Sequence, residues 1–113
     1  MIINRLSESE EMIMSVMWEF EKDLRAYDIT NLVKSKFGKE WQPQTVMTFL
    51  QRLNRKGFIS IYKDKKEYKR KYSFYHVEIS KEEYLLFRFQ DIQDVLFNGN
   101  KEEMKKFIEN IKE

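Results

Sequence analysis

Residues 42–57 read QPQTVMTFLQRLNRKG, and this stretch predicts one helix with both of its ends marked. Proline suits the first helical position, where its missing N–H costs nothing, and glycine suits the left-handed residue just beyond a helix end. At 100° per residue the apolar side chains fall on one face, which comprises Val46, Phe49, Leu50 and Leu53. The other face carries amides, hydroxyls and guanidinium groups but no carboxylate, and it comprises Gln44, Thr45, Thr48, Gln51, Arg52 and Arg55. These groups suit base edges and phosphates, although an ordinary amphipathic helix with a solvated face has the same pattern.

Two helices are expected before this one. Ser7 and Glu10 have the spacing of a capping box, and the helix they begin should end near Phe20. A second helix is predicted at residues 26–37 from its apolar spacing and the glycine that follows it. Because a short connection joins the second and third helices, they should cross as neighbours, with Trp41 packed where they meet.

Beyond Gly57 the apolar pattern changes to the period of two that is typical of strands. Strands predicted at 58–62 and 68–77 enclose a polar turn, so the sequence indicates an antiparallel hairpin. Three helices followed by a hairpin form the winged helix-turn-helix arrangement, and the fold class is therefore mainly α with a small antiparallel β-hairpin. His76 is the one histidine, and its place among aromatic residues in a strand favours a structural role.

Positive charge is concentrated in one segment. Residues 52–71 hold nine basic and two acidic side chains, a net charge of +7, although the whole chain carries only +2. Residues 1–23 carry −4 and residues 78–113 carry −3. This asymmetry indicates a polyanionic partner bound by a single surface, and Lys65 and Lys66 at the hairpin tip are candidates for phosphate contacts.

Two more helices are expected near the end of the chain. Ser80 with Glu83 has capping-box spacing before a helix that runs to about Phe97, and Asn100 caps the next one. Their candidate dimerisation residues are Tyr84, Phe87, Ile92, Val95, Leu96, Met104, Phe107, Ile108 and Ile111. Two helices alone bury little apolar surface, so the same pair from a second subunit is the expected partner, and packing onto the chain's own three-helix core is the alternative. The predicted division is a winged-helix domain at 1–78 and a helical dimerisation segment at 79–113.

Several classes of function are disfavoured by composition. The 113 residues include no cysteine, which excludes disulfides, thiolate metal sites and cysteine nucleophiles, and which fits a reducing cytoplasm. No signal peptide is visible, and no apolar run reaches the ~20 residues of a membrane span. The three glycines fall at helix ends, and the acidic pairs fall in first helical turns, where the helix dipole favours them. We therefore expect a cytoplasmic protein with no membrane association, no cofactor and no enzymatic activity.

Short motifs follow one another in a set order along the chain. They are residues 6–10 (LSESE), Met17-Trp18, Trp41, residues 45–48 (TVMT), Leu50, Arg52-Leu53, Lys56-Gly57 and residues 79–84 (ISKEEY). This ordered set resembles the penicillinase repressor family, the BlaI/MecI/CopY type of winged-helix repressor. The resemblance is close over about the first 85 residues and looser beyond them.

The resemblance implies a homodimeric, cytoplasmic transcriptional repressor that binds double-stranded operator DNA. Its third helix would enter the major groove of each half of a palindromic operator that pairs TACA with TGTA. By this resemblance Gln44, Thr45 and Thr48 would lie near base edges, and Arg52 and Arg55 would contact phosphates.

The chain also departs from the family pattern at several positions. Gln42 stands where relatives usually have a capping serine, and Gln44 occupies a variable, groove-facing position, so the operator sequence is open. Without cysteine, the paired-thiolate copper site of one branch is excluded. In the branch that is cleaved at an Asn-Phe bond the comparable residue is Phe107, which here follows Lys106, so a regulatory protease or another inducer is not specified.

Two alternative functions remain from sequence alone. A winged-helix fold can serve as a protein–protein interaction module, because fold does not fix function. Such a module has no need of a carboxylate-free helix face beside a segment of net charge +7. A transcriptional activator is the other alternative, and the residues do not separate it from a repressor.

Overall fold

The computed structural model describes residues 3–63 and 72–111, and this part of the chain contains five helices and three strands. In chain order the elements are α1 (Glu8–Glu19), β1 (Leu24–Arg25), α2 (Ala26–Phe37), α3 (Pro43–Arg55), β2 (Ile59–Lys63), β3 (Ser73–Val77), α4 (Lys81–Leu96) and α5 (Lys101–Ile111). The chain forms two compact units, Met1–Lys81 and Glu82–Glu113. The boundary between the two units thus lies a few residues beyond residue 78, where the predicted winged-helix domain ends.

The helix ends follow the predicted signals. In α1, the Ser7 N–H donates to the Glu10 carboxylate at 2.8 Å and the Ser7 hydroxyl accepts from the Glu10 N–H at 3.2 Å, which confirms the capping box. Gly38 ends α2 with φ of 70°, and its N–H donates to the Lys34 carbonyl at 2.8 Å. Both helices therefore begin or end within a residue of the predicted position.

The end of α3 is closed by a pair of backbone hydrogen bonds. The Gly57 N–H donates to the Asn54 carbonyl at 3.1 Å, and the Phe58 N–H donates to the Leu53 carbonyl at 3.0 Å. Gly57 has φ of 82°, a left-handed conformation that favours glycine over residues with a side chain. This turn directs Phe58 into the core, where it is fully buried. At the other end Gln42 supplies no side-chain cap, as the sequence indicated.

The sheet has three antiparallel strands in the order β1-β3-β2. The predicted hairpin is present as β2 and β3, but the prediction lacked β1, which pairs Leu24 with Tyr75. Tyr75 also pairs with Ile61 of β2, so it occupies the centre of the sheet and is buried. The extra strand attaches the segment between α1 and α2 to the hairpin.

The first unit is built around one apolar core shared by α1, α2, α3 and the sheet. Its buried members are Leu6, Ile13, Met14, Val16, Met17, Leu24, Ile29, Val33, Val46, Leu50, Leu53, Phe58, Ile59, Tyr75 and Ile79. The Trp18 indole N–H donates to the Ile79 carbonyl at 2.9 Å, which places Ile79 in this unit. Trp41, predicted to pack where α2 and α3 meet, is half-buried and packs on Phe49 of α3, with ring centroids 5.2 Å apart.

One ion pair lies against this core. The Lys56 ammonium donates to both carboxylate oxygens of Glu10, at 2.8 and 2.9 Å. The Glu10 side chain is 2% exposed and that of Lys56 is 30% exposed. Burial raises the pKa of Glu10, but the hydrogen bonds from Lys56 and Ser7 outweigh it, so the pKa lies below its ordinary value. The pair joins the start of α1 to the end of α3.

The second unit consists of α4 and α5 joined by a tight reversal. Asn98 and Gly99 both have positive φ, 51° and 75°, which breaks the helical path at the predicted place. Asn100 then caps α5, because its side-chain oxygen accepts from the Glu103 N–H at 3.0 Å. Phe97 packs on Phe107 across the reversal with ring centroids 5.7 Å apart. Within residues 3–63 and 72–111, no helix is long and apolar enough to cross a membrane.

A polar cluster joins the α1–β1 connection to the sheet. The Asp23 carboxylate contacts His76 Nδ1 at 2.8 Å and also accepts a hydrogen bond from the Tyr62 hydroxyl. Tyr62 stacks on Phe74, with ring centroids 5.6 Å apart. The hydrogen bond and charge of Asp23 raise the pKa of His76. His76 is thus occupied by a structural contact, in agreement with its predicted role.

We expect the imidazole of His76 to titrate above its ordinary pKa of 6.5, as followed by its ring-proton NMR signals. Because the folded pKa is raised, the contact favours the folded state most below the unfolded pKa, and this contribution is lost as pH rises through the folded pKa. Asp23→Asn should lower the titration midpoint clearly. Glu78→Gln is the matched control, since the Glu78 charge is the smallest of the effects on His76, and an equal shift in both variants would contradict the assignment.

Candidate nucleic-acid interface

The orientation of α3 is fixed by its apolar face. Val46, Leu50 and Leu53 are fully buried, and Phe49 is half-buried beneath Trp41. Burying these side chains leaves the opposite face pointing outward, as the helical spacing predicted. On that face Gln44, Thr48, Gln51, Arg52 and Arg55 are exposed and Thr45 is half-buried.

Four polar side chains of this face have no hydrogen-bond or ion-pair partner within the described part of the chain. No hydrogen bond or ion pair joins another described residue to the side chains of Gln44, Gln51, Arg52 or Arg55. The cations of α2 differ, since Lys34 pairs with Glu40 at 3.4 Å and Lys36 pairs with Glu19 at 3.0 Å. The outward face of α3 therefore presents hydrogen-bond donors and positive charge that neighbouring described carboxylates do not neutralise.

The hydroxyl group of the exposed Thr48 is already engaged in a hydrogen bond within α3. It donates to the Gln44 carbonyl at 2.9 Å. With the hydroxyl proton engaged, the group that Thr48 can offer to a ligand is its methyl together with the hydroxyl lone pairs. This arrangement suits an apolar contact with the methyl group of thymine.

The guanidinium group of the neighbouring Arg52 lies over an aromatic ring. Its guanidinium carbon lies 5.8 Å from the ring centroid of Phe49, which in turn packs on Trp41. A cation over an aromatic face is held by the ring quadrupole without loss of its charge. Phe49, packed on Trp41, therefore helps to hold the Arg52 guanidinium in place. The apolar character of these two residues did not indicate this contact.

A further contact links α3 to the sheet. The hydroxyl of the buried Tyr75 donates to the sulfur of Met47 at 3.5 Å. Burial raises the pKa of Tyr75, so the phenol keeps its proton and remains a donor. Met47 itself is 39% exposed beside the outward face of α3. This pair was not predictable from the sequence, because Met47 and Tyr75 belong to separate elements.

The family model described as "Penicillinase repressor" matches residues 6–112. The chain belongs to the penicillinase repressor family. This membership places it among the DNA-binding transcriptional regulators, and it confirms the resemblance derived from the ordered motifs. No curated protein matches the chain significantly.

Solved structures share the fold of this penicillinase repressor family member. The Bacillus licheniformis BlaI monomeric form, in complex with the blaP half-operator, has a TM-score of 0.57 at 23% identity, over 74% of this chain and 92% of BlaI. Bacillus subtilis PadR in complex with operator DNA has a TM-score of 0.58 at 21% identity, over 74% of this chain and 47% of PadR. A PadR family regulator from Clostridium difficile R20291 has a TM-score of 0.55 at 19% identity, over 86% and 96%. These likenesses confirm the winged-helix fold.

The hairpin of this penicillinase repressor family member is described only at its base. Lys65 and Lys66, predicted to contact phosphates, lie outside the described residues. Within the described strand β2, Ile61 and Tyr62 are 39% and 46% exposed. They were not among the predicted site residues, because alternation in a short strand does not distinguish an exposed apolar side chain from a buried one.

The candidate dimerisation residues are divided by the structure into inner and outer sets. Tyr84 and Met104 are buried within the chain, and Phe87 and Ile92 are half-buried. The exposed ones are Val95, Leu96, Phe107, Ile108 and Ile111. Three further apolar side chains of α4 are exposed but were not among the predicted dimerisation residues, and these are Leu85, Leu86 and Phe89. Helical spacing alone gave no signal that these three point outward.

Proposed function

We propose that this protein is a transcriptional repressor that binds double-stranded operator DNA as a homodimer, with α3 in the major groove. The observation that carries the proposal is the outward face of α3, which has no carboxylate and whose amides and guanidinium groups lack partners among the described residues. Membership of the penicillinase repressor family supports it. DNA complexes of BlaI and PadR, which share the fold, are consistent with it.

In this proposal the two ends of the polar face of α3 contact different parts of the DNA. Gln44, in the first turn of α3, can form a bidentate pair with adenine, and Thr45 and Thr48 present methyl groups to thymine. These preferences are compatible with half-sites of the TACA and TGTA type. A good base contact contributes about 1–3 kcal/mol of discrimination. Arg52 and Arg55, nearer the other end, would neutralise phosphates and fix the helix in register.

Homodimerisation is proposed through α4 and α5. Eight of the fourteen exposed large apolar side chains among the described residues belong to these two helices. Large contiguous apolar patches on soluble proteins commonly mark interaction sites, and the commonest partner is a second, symmetric copy of the chain. Two subunits joined in this way would present two copies of α3 about one DNA turn apart, roughly 34–36 Å.

Leu96 and Ile111 provide a test of this interface, because they are 71% and 64% exposed and their replacement leaves the interior of the subunit intact. The double variant Leu96→Lys/Ile111→Lys should be monomeric by light scattering at a concentration where the parent protein is dimeric. Phe20→Lys is the control, since Phe20 is also exposed but lies in the first unit. A Leu96→Lys/Ile111→Lys protein that remains dimeric would contradict the proposed interface.

Repression would follow from occupancy, because a dimer bound over a promoter excludes RNA polymerase. DNA binding itself is tested by fluorescence anisotropy with a TACA/TGTA duplex and a scrambled duplex of the same composition. We expect at least about 10³-fold preference for the former at physiological salt, with affinity falling as salt rises. Equal, salt-independent binding to both duplexes would contradict the proposal and favour a protein-binding module.

A further inference from the structure

A cavity of about 470 Å³ lies within the first unit, where the beginning of α2, the middle of α3 and the beginning of β3 meet. Its lining residues are Arg25, Ala26, Tyr27, Met47, Tyr72, Ser73 and Tyr75. The volume falls within the range of sites that bind small molecules in proteins. Neither the proposed DNA contacts nor the proposed dimer makes use of this cavity.

The walls of the cavity are suited to a flat ring. Three of the lining residues are tyrosines, and a fourth is Met47, whose polarizable sulfur packs well against aromatic groups. The hydrogen bond from the Tyr75 hydroxyl to the Met47 sulfur fixes two of these side chains relative to each other. The lining is thus partly preorganised, and aromatic residues are the most frequent type among its described members.

The charge of the cavity is suited to an anion. Among the described lining residues, Arg25 is the one that carries a charge, and none of them is a carboxylate. Its guanidinium lies 4.8 Å from the ring centroid of Tyr72, and its Nε lies 3.6 Å from the Asp28 carboxylate. That pairing occupies one edge of the guanidinium, while the two terminal nitrogens form the fork that suits a carboxylate. The positive end of the α2 dipole adds to the same preference.

We propose that this cavity binds a small aromatic carboxylate, with the carboxylate at Arg25 and the ring among Tyr72, Tyr75 and Met47. Because Met47 belongs to α3, the ring of the bound anion would lie against the helix proposed to meet DNA, and its carboxylate at Arg25 would add a negative charge to the same unit. Repulsion of the phosphates would then lower DNA affinity. This regulatory consequence rests on the proposed function, whereas binding to the cavity does not.

The binding test uses 4-hydroxybenzoate as the probe and the methyl NMR signal of Met47 as the readout, with the full chain and no DNA. A probe of this size is expected to bind with a dissociation constant of about 1 mM or tighter. The shift should be lost in Arg25→Met and in Ala26→Leu, which fills the cavity, and retained in Arg5→Met. The last variant removes the same charge outside the cavity, and the thermal midpoint of each variant establishes that it is folded.

Two comparison probes define the chemistry of the site. Inorganic phosphate has charge without a ring, and benzyl alcohol has a ring without charge, so each should bind at least about tenfold more weakly than 4-hydroxybenzoate. Equal binding of inorganic phosphate would overturn the proposal and indicate a plain anion site of the kind a DNA phosphate could occupy. An unchanged Met47 signal, or a shift that persists in folded Arg25→Met, would also overturn it.

A second readout separates this inference from the proposed function. Saturating 4-hydroxybenzoate should weaken DNA binding about fivefold in the parent protein and leave Arg25→Met unaffected. If the protein bound no DNA while the Met47 signal still shifted, the proposed function would fail and the cavity assignment would stand. Normal DNA binding with no response to the probe in either measurement would overturn the effector site alone.

Discussion

Replacing Arg52 and Arg55 together by alanine should weaken binding to operator DNA about 100-fold, because each hydrogen bond to a charged group contributes about 1.5 kcal/mol or more. Both side chains are exposed on α3 and neither pairs with a described carboxylate, so their removal disturbs no described ion pair. The slope of log affinity against log salt should fall by about 1.8, since each phosphate contact releases roughly 0.9 counterions. Fluorescence anisotropy titrations between low and high salt measure both quantities.

The matched control removes the same charge from a different face. Lys34→Ala/Lys36→Ala also deletes two cations, but these belong to α2. Lys34 is paired with Glu40, and Lys36 is paired with Glu19. We expect this double variant to keep most of the salt slope of the parent protein. Equal losses in the two double variants would show that total charge, and not the α3 face, determines binding.

Lys56→Met should lower the free energy of unfolding by about 3 kcal/mol at neutral pH, because it leaves the buried Glu10 carboxylate without its counter-ion. This is the lower end of the range for buried pairs, since Lys56 remains 30% exposed. Lys36→Met is the matched control, because Lys36 and Glu19 form a 3.0 Å pair at the surface, and it should cost less than about 1 kcal/mol. Urea unfolding followed by circular dichroism measures both.

The same pair predicts the direction of a pH effect. The pKa of Glu10 is lowered in the folded protein, so the pair stabilises fully above the unfolded pKa near 4.5 and loses this contribution as pH falls through the folded pKa. The difference between the parent protein and Lys56→Met should therefore shrink as pH is lowered from 7 towards 4. Adding Glu10→Gln to Lys56→Met should restore part of the stability at pH 7. A difference that is constant with pH would show that Lys56 acts through packing alone.

Helices with strong end signals were predictable from the sequence. The span 26–37 was predicted for α2 and is observed as Ala26–Phe37, because its apolar spacing ends at a glycine. Pro43 and Gly57 marked α3 at both ends, and the apolar residues between them are buried as expected. The outward face of α3 followed from this burial, so its exposed residues were also predictable.

Features formed by distant residues were not predictable. β1 consists only of Leu24 and Arg25, and two residues cannot show the alternation of a strand. Glu10 and Lys56 are far apart in the chain. The sequence accounted for Glu10 as part of a capping box and for Lys56 as part of a helix end, so nothing indicated that they form a pair. The cluster of Asp23, Tyr62 and His76 and the contact between Met47 and Tyr75 likewise depend on the packing of separate elements.

The proposal that α3 reads base edges is tested most directly by selecting DNA from a random-sequence library with the parent protein and with Gln44→Ala. The parent protein should enrich a two-fold symmetric motif whose half-sites are centred about 10–10.5 base pairs apart, or a multiple of that spacing. Gln44→Ala should enrich the same motif with relaxed preference at one symmetric pair of positions, by about 1–3 kcal/mol per contact. A motif identical for both proteins, or no enriched motif at all, would contradict base reading by α3.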